Sequence, residues 1–323
     1  MCLLCSVILI SLTAMFGCGS SNGPRKSDQE PAPEFLFDRQ PLTFECSDRS
    51  PGRSEGTAGK VRLRAGNEAS YALTRSEELR LSISDVPALT ITSDPLGRIA
   101  VGGNESGDWS IRFCARGEGN SEAEAHERLQ EVSMTHLGSV VSINNAGRGI
   151  DPQTTGSFLL AAPAGAPMII HGSYAPVQVR DMSGPLRVTA SHGRATILDT
   201  TGQVDTDAFV VDFAGSQGRV TLTAEAEINL KMTATKFDGT ILAWAQGPVR
   251  MLVPVGFQTP FQAMVNRPQD FVCRADLCSK VRQEKTNGLY VFTYLGDGSA
   301  NPELVHLRSE QATVVIYNIR RKN

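Results

Sequence analysis

The sequence predicts an all-β fold, specifically a β-solenoid of short stacked strands with one inserted amphipathic helix near residues 121–132. Three observations lead there. Only 6% of the 323 residues are aromatic while 30 are glycine, a composition that suits short strands and tight turns better than a large enzyme core. From residue 79 onward, short runs alternate apolar and polar residues, the period of a half-buried strand. In the second half these runs recur at roughly eight to twelve residues, punctuated by Gly184, Gly193, Gly202, Gly218, Gly239 and Gly247. Each run offers too few inward apolar residues to form a core alone, so stacking on the rungs above and below must bury them. A sandwich meets the same spacing; short strands and the lack of a Trp-centred core favour the solenoid.

The chain opens with an uncharged stretch, Cys2 to Phe16, carrying Leu3, Leu4, Val7, Ile8, Leu9, Ile10 and Leu12. This is the apolar core of a signal peptide at 1–17, too short for a comfortable membrane span. Met15-Phe16-Gly17-Cys18 resembles a lipobox, in which cleavage before Cys18 frees that residue for lipid attachment. No Lys or Arg precedes the run, and Met and Phe stand where Leu and a small residue are usual, so simple cleavage and an uncleaved anchor are the alternatives. Residues 18–40, with Gly23-Pro24-Arg25-Lys26 and Glu30-Pro31-Ala32-Pro33, read as a flexible linker that cannot bury enough apolar surface to fold. The expected partner at this end is the membrane, reached through the lipid.

Residues 41–150 read as an N-terminal β region with a helix. Its strands include Leu79-Arg80-Leu81-Ser82-Ile83, Leu89-Thr90-Ile91-Thr92, Ile99-Ala100-Val101 and Trp109-Ser110-Ile111-Arg112-Phe113. Ser121 and Glu124 form a capping box, and Ala125, Leu129 and Val132 share one helix face. Residues 151–323 read as the solenoid body and C-terminal strands. Setting aside Cys2, Cys5 and Cys18 leaves Cys46, Cys114, Cys273 and Cys278, an even number for an oxidising compartment. A turn would bring Cys273 and Cys278 within disulfide reach, which leaves Cys46 with Cys114. A thiolate metal site would need a second Cys pair of matching spacing, so no metal is expected.

Chemistry-bearing motifs are sparse. With 31 Lys plus Arg against 34 Asp plus Glu, the chain has no long-range attraction for nucleic acid. No P-loop is present. His126-Glu127 begins like a zinc-protease motif, but Gln130 stands where a second His is needed. Asp199, Asp205, Asp207 and Asp212 form a possible acidic binding face, since alternation puts Asp205 and Asp207 on one side of a strand. Such carboxylates bind Ca²⁺, act on polysaccharide as acid and base, or simply solvate a repeat surface. No cofactor is indicated.

The segment Leu79 to Asn145, the glycine-punctuated rungs after it, and Val253-Pro254-Val255-Gly256-Phe257 through Val265 together resemble the bacterial putative-adhesin family of β-solenoid envelope proteins. The resemblance covers about three quarters of the chain, and the Cys273 to Cys278 insertion departs from it. The export signal and tether, joined to a repeat body without catalytic motifs, point to a non-enzymatic lipoprotein of the bacterial cell envelope, facing periplasm or cell surface, that presents a β-solenoid surface for partner binding; to this the resemblance adds adhesion. The expected ligand is an envelope protein or a polysaccharide, met by an exposed patch involving Tyr174, Trp244 or Phe261. The alternatives are a polysaccharide-active enzyme using the acidic rungs near Asp205, and a structural protein that self-associates through solenoid ends.

Overall fold

The computed structural model describes residues 60–65, 68–93, 97–145, 154–296 and 305–319. The signal segment, Cys18, the linker and Cys46 lie outside the described residues. The described part is predominantly β with one α-helix, and its strands join in a single hydrogen-bonded network.

Strands β1 (Lys60–Ala65) and β2 (Glu68–Ser82) form an antiparallel pair. They are followed by β3 (Leu89–Ser93), β4 (Ile99–Asn104) and β5 (Asp108–Gly119). Helix α1 (Glu122–Glu131) begins where expected: Ser121 Oγ accepts from the Glu124 N–H at 3.2 Å, and the Glu124 carboxylate accepts from the Asn120 N–H at 2.8 Å. Its buried face is Ala125 and Leu129. The chain continues through β6 (Val132–Leu137), β7 (Val140–Asn145), β8 (Thr154–Pro163), β9 (Met168–Gly172) and β10 (Val177–Arg180). Three long strands come next, β11 (Leu186–Leu198), β12 (Gln203–Gly215) and β13 (Gln217–Met232). The remainder is β14 (Asp238–Ala245), β15 (Val249–Val253), β16 (Phe261–Val265), β17 (Phe271–Arg274), β18 (Arg282–Thr286), β19 (Leu289–Tyr294), β20 (Val305–Ser309) and β21 (Val314–Asn318).

Two parallel ladders organise these strands. Each pass of the chain gives one strand segment to each ladder. In the first, residues in lateral register form the column Leu89, Met168, Leu186, Val204, Val220, Ile241, Val305 and Phe261. In the second, the column runs Phe158, Ile99, Val177, Ala195, Val211, Ile228, Val249 and Val314. Every residue of both columns is buried. Burying a Val, Leu, Ile, Met or Phe side chain stabilises by about 1.5–3 kcal/mol, and each lies on a neighbour one strand spacing, about 4.8 Å, away.

The order of passes departs from chain order at both ends. Strands β3 and β4 lie between β7 and β8 on one side and β9 and β10 on the other. Likewise β20 and β21 lie between β14 and β15 on one side and β16 and β17 on the other. Beyond these inserted passes the pairing turns antiparallel, with β2, β5 and β8 at one end and β16, β19 and β18 at the other. Among the described strands the outermost there is β18, exposed at every residue and reading Arg282-Gln283-Glu284-Lys285-Thr286, a charged edge that disfavours further strand pairing.

Two expectations need correction. The strands are not all short: β11, β12 and β13 span 13, 13 and 16 residues. Each of these carries the chain from one ladder to the other without leaving extended conformation, and the register shifts at the corner, between Ala190 and Arg194 in β11 and between Ala208 and Val210 in β12. A Trp does sit in the core. Trp109 is fully buried, and its indole N–H donates to the Val86 carbonyl at 2.8 Å, which satisfies its polar atom inside an apolar setting. At another corner, Gly239 has φ +134, and a Cβ there would lie 2.0 Å from the Gly218 carbonyl oxygen. Successive passes approach too closely for any side chain.

Candidate interaction face

Alternation gives each ladder an inward and an outward row. The outward side of the first ladder is open to solvent and carries large apolar side chains: Leu242 is 50% exposed, Trp244 44% and Ile169 39%, with Phe209, 42% exposed, at the corner where β12 leaves that ladder. Lateral register arranges this face in two columns. One runs Ile169, Arg187, Asp205, Thr221, Leu242 and His306; the other runs His171, Thr189, Asp207, Thr223, Trp244 and Arg308. Asp205 and Asp207 are exposed, and among the described residues neither forms an ion pair. Arg308 meets Glu310 at 3.5 Å on the surface, a contact worth little in water.

The expected acidic residues do not all meet. Asp205 and Asp207 share the open face. Asp212 lies on the outward row of the second ladder and is buried. There Arg194 Nη1 donates to its Oδ2, and Asn229 Nδ2 donates to its Oδ1 at 2.9 Å. The same Asn229 amide donates to Glu227 Oε1 at 2.6 Å, and Arg250 pairs with Glu227. The result is a charge-balanced clamp across β11, β12, β13 and β15, with the Asn229 Oδ1 buried and unbonded among the described protein groups. Asp199 occupies a corner after β11 with φ 50, its N–H donating to the Ala214 carbonyl at 2.8 Å.

Of the three aromatic candidates, Trp244 and Tyr174 are exposed, whereas Phe261 is fully buried in the inward column. Tyr174 stacks on His192, with ring centroids 4.6 Å apart. Leu242 and Ile169 are members of the face that the aromatic candidates do not include. For Leu242 the signal is present in Ile241-Leu242-Ala243-Trp244, where both parities of one strand are apolar, so one parity must face water unless something covers it.

The Cys273–Cys278 disulfide forms, with Cα atoms 5.6 Å apart. It ties β17 to a 3₁₀ turn at Asp276–Lys280. Asp276 anchors that turn to the end of β21: its Oδ1 accepts from Asn318 Nδ2 at 2.9 Å and its Oδ2 from the Gly256 N–H at 2.9 Å. The Asn318 bond first, then the Gly256 N–H, hold the Asp276 carboxyl below the usual carboxylate range. Cys114 is also disulfide-bonded. His126 and Gln130 contact each other at 3.0 Å on the exposed face of α1. Among the described residues no cluster of His, Cys, Asp or Glu has metal-binding geometry, and no helix is long and apolar enough to cross a membrane.

No family model matches the chain, and no curated protein matches it. Solved structures do match, and those found are described as adhesins or as an adhesion protein. A "putative cell adhesion protein" from Clostridium sporogenes is 9% identical, covering 76% of this chain and 98% of its own, with a TM-score of 0.29. A "putative adhesin" from Bacteroides fragilis is 10% identical over 77% of this chain and 97% of its own, TM-score 0.25. One from Parabacteroides merdae is 10% identical over 76% and 97%, TM-score 0.29.

Proposed function

We propose that this chain is a non-enzymatic protein of the bacterial cell envelope. Its two ladders close into a β-solenoid, and the open face of the first ladder is presented for adhesion or partner binding. The observation that carries the reading is the pairing, on that one face, of large exposed apolar side chains, Leu242 and Trp244, with the carboxylates Asp205 and Asp207, which form no ion pair among the described residues. A solvated surface has no use for the first, and exposed apolar patches mark interaction sites. The export signal and linker supply the compartment, with lipid on Cys18 as the tether and a Cys46–Cys114 bridge completing the cysteine pairing.

The test is retention by native envelope fractions of the chain carrying Cys18→Ser, so that no lipid holds it there. Replacing Leu242 and Trp244 together by Ala is expected to weaken retention about tenfold or more with the melting temperature unchanged, since both side chains are half in solvent. Equal retention would remove the face from the function. Intact mass of the envelope-derived protein checks the tether. A lipidated N-terminus at Cys18 and a gain of about four hydrogens on reduction are expected, and an unprocessed chain with free thiols would overturn the envelope reading.

A further inference from the structure

The open face has a charge order that makes it complementary to itself, and we infer that its partner is a second copy of this chain, docked face to face. The inference rests on the reading that this face is the binding surface. When the strands of the two copies run along one line, a two-fold axis that brings the faces together runs either along the stack of passes or along the strands. An axis along the stack of passes keeps each strand opposite its own copy, which would put Asp205 and Asp207 against the second copy's Asp205 and Asp207. Four carboxylates would then be confined together between two sheets, a like-charge contact that opposes binding.

An axis parallel to the strands, passing between β13 and β14, reverses the order of passes and keeps position along the strand. Register then gives the contacts directly. Thr221 and Thr223 face the second copy's Leu242 and Trp244, so both copies' Leu242 and Trp244 gather at the centre. Asp205 faces the second copy's His306, and Asp207 faces its Arg308. One pass further out, Arg187 meets Gln262 and Thr189 meets Met264. An apolar centre with complementary charges around it is the anatomy of a specific interface. The Arg308 guanidinium is available to exchange its long surface contact with Glu310 for the Asp207 carboxylate.

The size of the face sets the affinity regime. Eight strands, β9 through β19 in spatial order, at about 4.8 Å each and about 17 Å long, cover roughly 650 Å² per copy. That is just below the roughly 800 Å² per partner of a standard interface, so single contacts are weak and many tethered copies acting together are strong. The charged, exposed β18 edge makes strand pairing at that end a poor competing route.

The experiment is sedimentation velocity of the full detergent-solubilised chain, as wild type, Asp207→Arg, Arg308→Asp, and an equimolar mixture of the two variants. Wild type is expected to dimerise at tens of micromolar, a regime typical of weak interfaces. Each variant alone should lose about tenfold or more in dimerisation, because the two-fold axis doubles its like-charge contact. The mixture should recover it. In the mixed dimer the introduced arginine of one variant meets the introduced aspartate of the other, while the unchanged Arg308 of the first meets the unchanged Asp207 of the second. That recovery also shows that both variants are folded. A wild-type monomer throughout, or variants that dimerise as wild type does, would overturn the inference. If that monomer still loses envelope retention with Leu242 and Trp244 replaced, the face binds a different partner and the proposed function stands without this inference.

Discussion

The two ladders are built alike on the inside and differently on the outside. Both stack Val, Ile, Leu and Ala in register inward, pass after pass. Outward, the second ladder closes on itself: Asp212 and Asn229 are buried and bound to each other, with Arg194, Glu227 and Arg250 completing the clamp. The first ladder leaves Leu242 and Trp244 half exposed, and Asp205 and Asp207 without ionic partners among the described residues. Stacking alone therefore stabilises a parallel ladder, and the outward row is free to serve either cohesion between passes or contact with something else. Here the second ladder does the first, and the first ladder carries the face we propose for the second.

The widest separation between the two roles lies between an inward and an outward aromatic. Phe213 is fully buried in the second ladder, its ring edge-on to Phe237 at 6.5 Å. Phe213→Ala is expected to cost about 3–5 kcal/mol in urea unfolding, from lost transfer energy plus the cavity. Trp244→Ala should stay within about 0.5 kcal/mol, as exposed positions do. A Trp244→Ala variant as damaged as Phe213→Ala would mean that the first ladder's outward row is also structural, and the contrast would fail.

The carboxylates sharpen the same contrast at a smaller scale. Asp212→Ala removes two acceptors from the clamp. The half-exposed Arg194 can turn to solvent, but the buried Asn229 amide keeps only Glu227. The expected cost is about 1–3 kcal/mol, the range for a buried polar group losing a partner. Asp205→Ala should change stability by less than about 0.5 kcal/mol. Thermal melts of the two variants beside wild type make the comparison.

Much of the inward pattern is legible in the sequence, because period-two alternation reports it directly: Val204, Thr206 and Ala208 face in, and Asp205 and Asp207 face out. The place of Asp212 is not legible. Parity counted from Asp207 puts it inward, but the register shift at Ala208/Val210 resets the alternation, so that Asp212 turns outward on the other ladder while Val211 and Phe213 face the core. Such a shift at a corner leaves no compositional mark. Phe261 reads as a surface aromatic and is buried for a different reason. It lies below Val305 in the inward column, and that pairing joins a late pass to one the chain makes later still, a non-local contact that no local period encodes. The insertion of β3 and β4 between later passes is hidden in the same way. The open face is half visible, through Trp244 and the two aspartates, and the missing half is the second parity of β14.

The smallest expected effect concerns the end of the second ladder, where β21 is tied by Asn318 to Asp276. The Asp276 carboxyl is held below its ordinary range, chiefly by the Asn318 hydrogen bond and then by the Gly256 N–H. A depressed folded value means that the ionised form is favoured by folding. Its contribution is therefore present above the unfolded carboxylate value, near about pH 4, and fades as pH falls from there through the folded value. Because Asp276 is exposed, the effect on global stability is small, and the sensitive readout is local. Amide exchange at Asn318 and Ile319 should quicken as pH falls below about 4 relative to the first ladder's β20, beyond the intrinsic pH trend. Asp276→Asn should remove that extra dependence. Equal quickening in β20, or its survival in Asp276→Asn, would mean that acid loosens both ladders together and that the clamp at this end is not what separates them.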